Sequence, residues 1–160
     1  VKLSRRFLLL GAPVLIVPAL VLGIRAMSSQ GRADPWTAVD VMQPAELAQR
    51  LAGPAAAWPK IYYVGFGFLY HRHIPGSEFV GPGSRQEGLD ALRAAVSKLP
   101  RNREIVIYCG CCPWDHCPNI RPAFKLLREM GFKRAKVLSL PTNFLRDWIV
   151  KDYPVETGRM

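Results

Sequence analysis

Three observations predict an α/β domain built on a parallel sheet flanked by helices. Apolar runs of strand length alternate with segments whose apolar residues recur at helical spacing, the order expected of βαβ units. The run Ile105-Val106-Ile107-Tyr108 is apolar without alternation, as suits a strand covered on both faces. The chain has 160 residues, 49% of them hydrophobic, which is the material for one core rather than two.

Val39 and Val41 flank Asp40 in a short strand-like alternation, and Pro44 then opens a helix with Leu47 and Leu51 on one face, stopped by Gly53-Pro54. After an Ala-rich connection, Ile61-Tyr62-Tyr63-Val64 is an aromatic and β-branched strand ended by Gly65. A long loop through Gly83 follows, carrying His71 and His73. Ser84-Arg85-Gln86-Glu87 has the form of a capping box ahead of a helix with Leu89, Leu92, Val96 and Leu99 on its inner face. Glu104–Tyr108 is the next strand. Beyond a Cys- and Pro-rich loop, Pro122 lies near the start of a helix that buries Phe124, Leu127 and Met130 and stops at Gly131. Lys136–Leu140 returns as strand, and Thr142 or Asn143 caps a last short helix with Phe144, Leu145, Trp148 and Ile149.

The formal charge is +10, and half of it sits in residues 1–33, which hold Lys2, Arg5, Arg6, Arg25 and Arg32 and no acid. No basic run with interleaved aromatic residues and no nucleic-acid reading motif accompanies this charge, so nucleic acid is not an expected partner. The basic residues bracket Phe7–Ile24, an uncharged apolar stretch that would be roughly 27 Å long as a helix, enough to cross a bilayer. Charge placement would keep Lys2, Arg5 and Arg6 in the cytoplasm and export the rest. Ser4-Arg5-Arg6-Phe7-Leu8 resembles a twin-arginine signal, one residue short between Arg6 and Phe7. Gly31-Arg32-Ala33 offers a cleavage site before Asp34. Residues 1–33 are therefore read as a signal peptide or a membrane anchor through residues 7–24, and residues 34–160 as an exported domain, periplasmic or otherwise extracytoplasmic, released or held at the inner membrane.

All four cysteines, Cys109, Cys111, Cys112 and Cys117, fall within nine residues, CGCCPWDHC, between the end of the buried strand and the start of a helix. A loop in that position turns backbone N–H groups inward, and the helix that follows adds its partial positive end, so an anion is stabilised there. A cysteine at the base of such a loop ionises readily.

Here the chain resembles the rhodanese, or sulfurtransferase, family over most of residues 37–155. His73-Ile74-Pro75-Gly76-Ser77 is similar to the family's His-Ile-Pro-Gly-Ala turn, Ile105-Val106-Ile107-Tyr108-Cys109 to its active-site strand, and Gly131-Phe132 with Val137-Leu138 to its exit from the active-site helix. Within the family the chain more nearly resembles an exported bacterial subgroup with a Cys-Gly-Cys-Cys-Pro-Trp loop. The resemblance implies a single rhodanese-like domain in which Cys109 takes a sulfane sulfur from a donor such as thiosulfate or a persulfide, holds it as a persulfide, and yields it to a thiophilic acceptor, with no cofactor. The amides of Gly110, Cys111, Cys112, Trp114 and Asp115 are the candidate cradle for that sulfur, since Pro113 and Pro118 have none to give. Arg121 is the candidate for steering an anionic donor, and Trp114 for walling the pocket. His73 is read as a structural hydrogen-bonding residue of its turn and His71 as exposed.

The chain departs from the family in two places. Val64-Gly65-Phe66 stands where an Asp-x-Arg pattern is usual, and the loop from Cys109 to Gly131 is about five residues longer than usual. The extra cysteines keep three further readings open. Cys111 or Cys112 pairs with Cys117 in a disulfide; Cys112 or Cys117 resolves an oxidised or persulfidated Cys109, making a thiol–disulfide redox protein; or the cluster, with His116, makes a non-catalytic metal- or partner-binding module. Two separated C-x2-C knuckles, the strong zinc signature, are lacking, so no metal is assigned.

Overall fold

The computed structural model describes residues 34–158. The apolar stretch 7–24 and the Gly31-Arg32-Ala33 site lie outside them, and among the described residues no helix is long and apolar enough to cross a membrane. In chain order the elements are β1 (Val41–Met42), α1 (Pro44–Leu51), β2 (Lys60–Tyr63), β3 (Arg72–His73), β4 (Ser77–Phe79), α2 (Gln86–Val96), β5 (Ile105–Tyr108), α3 (Ile120–Glu129), β6 (Ala135–Leu138), α4 (Phe144–Asp147) and β7 (Glu156–Thr157). Five strands form one sheet in the order β1-β6-β5-β2-β4, every pair parallel. The fold class expected from the alternation of elements is the one observed.

β5 lies at the centre of the sheet, and its side chains divide by the period of two. Ile105 and Ile107 join Tyr62 and Val137 on a face covered by Leu92 and Val96 of α2 and by Ala123, Phe124 and Leu127 of α3. Val106 and Tyr108 join Ile61, Tyr63 and Leu138 on the other face, under Leu47 and Leu51 of α1 and under Phe144 and Trp148. Each fully buried aliphatic side chain contributes about 1.5–3 kcal/mol, so β5, buried along its whole length, is the best-anchored element on which a reactive group can be mounted. The loop after β5 opens at the carboxyl ends of the parallel strands, where α/β sheets bind their ligands.

The described elements correct four sequence expectations. Ala38–Asp40 is a 3-10 turn and not strand, because the Asp40 carboxylate folds back to accept from the Thr37 amide and hydroxyl, each at 3.0 Å, and is held by Arg128. The capping box at Ser84 does not form. The helix starts one residue later, behind Arg85, and the Ser84 amide is drawn away to the Asn119 carboxamide oxygen at 3.1 Å. The long loop after β2 contains an edge strand, β4, in register with β2 (Ile61 opposite Ser77, Tyr63 opposite Phe79), and β3, which pairs antiparallel with β7. The last helix breaks at Trp148 and continues as the 3-10 turn Ile149–Lys151, so Trp148 and Ile149 lie past its end.

The turn that carries the resemblance has a structural task. His73 Nδ1 donates to the Tyr70 carbonyl at 2.9 Å, and its ring stacks on Tyr70 with centroids 4.1 Å apart. The Tyr108 hydroxyl accepts from the Ile74 amide and bonds Ser77 Oγ, both at 3.1 Å, which fastens the turn to the end of β5.

Candidate functional site

Cys109 follows β5 directly and is almost fully buried, with Val64 bonded alongside through its amide to the Tyr108 carbonyl at 2.9 Å. Gly65 leaves room for its sulfur. A Cβ at Gly65 would lie 2.9 Å from Cys109 Sγ and 2.6 Å from Tyr63 Oη, closer than side chains tolerate. Gly110 then turns the chain at φ +80°, a conformation that disfavours any other residue. This turn brings Cys111 back onto Cys109, with their sulfurs 3.1 Å apart, while Cys112 Sγ lies 3.3 Å from Cys111 Sγ. Buried Cys117 completes the cluster, and the sulfurs of Cys109, Cys111 and Cys117 all lie within 4.8 Å of one another. All four are free thiols.

Asn119 is the site's buried polar residue. Its Oδ1 accepts from the Ser84 amide, which orients the carboxamide so that Nδ2 donates to Cys109 Sγ at 3.4 Å. Gly83 permits this approach, since a Cβ there would fall 2.2 Å from the Asn119 carbonyl oxygen.

These neighbours decide which thiol ionises. The thiol groups of Cys111 and Cys117 hydrogen-bond the Cys109 sulfur and hold its pKa far below the ordinary thiol range; burial opposes them, while the Cys111 amide and Asn119 reinforce them. Cys111 and Cys117 are pushed up, chiefly because each keeps its proton to share with the Cys109 anion. Burial is the main cause of the upward shift at Cys112. The Tyr63 phenol is also raised, first by burial and then by the charge on Cys109, and stays protonated.

Cys109, Gly110 and Cys111 border a cavity of about 400 Å³. Tyr63, Leu69, Phe144, Leu145 and Ile149 make its walls largely apolar, and His71, Arg72 and Asn143 supply the polar part. Arg72 makes no ion pair among the described residues.

The structure assembles only part of the expected cradle. The Cys111 amide contributes to holding the Cys109 thiol ionised. The Trp114 amide donates instead to the Leu140 carbonyl at 3.1 Å, and the Trp114 ring packs on Trp36 with centroids 5.3 Å apart, away from the cavity. Cys112 and Asp115 also lie outside its lining. The Asp115 carboxylate is taken by His116 at 2.9 Å, so neither residue joins the sulfur cluster. Arg121 does not face the cavity; it pairs with Asp34 and lies over the Trp36 ring at 5.4 Å. Its charge is satisfied there, and Arg72 is the cation at the mouth. His71 is exposed, as expected, yet borders the cavity too.

Sequence reasoning passed over Asn119, which looks like a helix cap. Its side chain bonds nothing in α3, and its place ten residues after Cys109 was the one available signal. Asn119→Asp keeps an oxygen for the Ser84 amide and sets a carboxylate against the sulfur. The Cys109 pKa should then rise, and the midpoint of the pH profile for its alkylation by iodoacetamide should move up by about one unit or more. An unchanged pH profile would show that Asn119 does not hold the thiolate.

The crystal structure of the Alr3790 protein from Anabaena sp. superposes with a TM-score of 0.54 at 25% identity, covering 72% of this chain and 91% of that one. The solution structure of the rhodanese-like domain from the same Anabaena protein gives 0.52 at 25% identity over 74% of this chain and 80% of that one. The BH2092 protein from Bacillus halodurans gives 0.56 at 20% identity over 73% and 76%. No protein-family model matches the chain, and no curated protein does either.

Proposed function

The chain carries a rhodanese-like domain, and from that premise we propose that it is a sulfurtransferase with Cys109 as the sulfur-carrying nucleophile. The supporting observation is the Cys109 sulfur on the border of an open cavity, ringed by the Cys111 amide, the Asn119 carboxamide and two protonated thiols. Those groups stabilise a sulfur anion without neutralising it, which a thiolate nucleophile requires.

The Cys109 thiolate attacks the outer sulfur of a small sulfane donor such as thiosulfate or an organic persulfide. The bond from that sulfur to the rest of the donor breaks, sulfite leaves in the case of thiosulfate, and the sulfur remains as a Cys109 persulfide. A thiophilic acceptor then attacks the outer sulfur and restores the thiolate. Arg72, in place of Arg121, draws an anionic donor to the mouth, and Tyr63 as a neutral phenol adds no opposing charge. We further propose that the domain works outside the cytoplasm, released or anchored through residues 7–24, on the strength of the apolar stretch and its flanking charges.

The direct test is the sulfite released when the full chain in detergent meets thiosulfate. One equivalent of sulfite per chain, absent in Cys109→Ser, is the expected result whether the sulfur stays on Cys109 or is given up afterwards. A chain that releases no sulfite from thiosulfate and takes no sulfur from an organic persulfide would overturn the proposal.

A further inference from the structure

Sulfur transfer by Cys109 uses the neighbouring thiols only as hydrogen-bond donors and leaves their own reactivity unassigned. Cys111 is the one that shares the cavity with Cys109, and it is exposed there while Cys117 is buried. Its sulfur is 3.1 Å from that of Cys109, held by the left-handed turn at Gly110. A disulfide needs the sulfurs only about 1 Å closer, at about 2.05 Å.

We propose that Cys111 resolves the Cys109 persulfide within the same chain, so that the protein releases the sulfane sulfur as sulfide and is itself left with a Cys109–Cys111 disulfide. This rests on the sulfurtransferase reading and adds the fate of the sulfur. In the step, Cys111 Sγ forms a bond to Cys109 Sγ, the bond from Cys109 Sγ to the outer sulfur breaks, and that sulfur leaves as hydrosulfide with the proton from Cys111. The sulfane sulfur gains two electrons, and the two cysteine sulfurs supply one each.

The resting contacts favour the sequence of events. While Cys109 is a bare anion, Cys111 holds its proton to hydrogen-bond it. Once that anion is capped by sulfur, the charge that kept Cys111 protonated has moved outward into the cavity, and Cys111 becomes the nearer nucleophile. The ring closed over the single residue Gly110 is small, so a dithiol reductant reopens it readily and restores both thiols. A dithiol, molecule or protein domain, supplies the reducing equivalents on this route, whereas an acceptor that reaches the outer sulfur before Cys111 does carries the sulfur away.

The test uses the full chain in detergent, reduced, freed of reductant and mixed with thiosulfate in the absence of any added thiol. Wild type should release one equivalent of sulfide and end two hydrogens lighter, with a Cys109–Cys111 disulfide on mapping. Cys111→Ser, whose hydroxyl can still donate to Cys109 but whose uptake should be slower, should release none and end one sulfur heavier once the reaction is complete. A stable persulfide on the wild type, equal to that on Cys111→Ser and without sulfide, would overturn the resolving role while leaving sulfur transfer intact. Sulfide release by Cys111→Ser, or a disulfide mapped to Cys117, would overturn the assignment to Cys111. Failure of both chains to take up sulfur would instead strike the sulfurtransferase reading itself.

Discussion

Cys109→Ser is expected to take persulfide formation to background, a loss of at least about 10³-fold, because a serine hydroxyl at neutral pH is neither ionised nor thiophilic. The fold should persist. The change replaces one sulfur by oxygen at a site where Asn119 Nδ2 still has an acceptor, so the hydroxyl is not buried unsatisfied, and a cost of about 1 kcal/mol in denaturant unfolding is the outcome to look for. Cys112→Ser is the matched control. Cys112 is outside the cavity lining and only half-buried, so that variant should keep persulfide formation. A persulfide that survives in Cys109→Ser would transfer the nucleophilic role to Cys111 or Cys117, whose sulfurs share the cluster.

The parts of the site written in the sequence are those fixed by local pattern. An unbroken apolar run names the central strand, and the residue after it is Cys109; a glycine follows, as the turn there requires. Contacts chosen by packing between distant segments were not legible. Ser77-Glu78-Phe79 has no apolar alternation and is strand only because β2 offers a free edge to it. Arg121 sits near the start of α3, where the sequence suggests a donor-steering cation, but Asp34, far away in sequence, claims it. Arg72, with no motif of its own, is brought to the cavity by the pairing of β3 with β7. The same holds for Asn119, whose orientation depends on an amide from the loop before α2. Strand and turn chemistry act over a few residues, whereas charge pairing and carboxamide orientation are settled by which surfaces meet.

Gly110→Ala is expected to damage stability and activity together, and the reason lies in Phe144. The residue has φ +80°, where an alanine costs about 1–2 kcal/mol. Its new Cβ would also fall 2.7 Å from Phe144 Cβ. Phe144 has little freedom to retreat. Its amide is bonded to the Gly110 carbonyl at 3.0 Å, and its ring stands against Tyr108 and Trp148 at centroid distances of 5.7 and 6.1 Å. Relief therefore requires lifting the start of α4 or turning Gly110 out of its conformation. The first opens the cavity wall, and the second separates Cys111 from Cys109. Unfolding in denaturant should show a loss of about 2–4 kcal/mol, and the rate of persulfide formation should fall with it. The two contributions separate in a double-mutant cycle with Phe144→Ala. Adding Gly110→Ala to a chain that already lacks the phenyl ring leaves the backbone strain in place but frees Phe144's position to shift, so the second substitution should cost about 1–2 kcal/mol there, less than it costs alone. If the two losses simply add, the close approach of Gly110 to Phe144 is not what holds the Cys-Gly-Cys turn in shape.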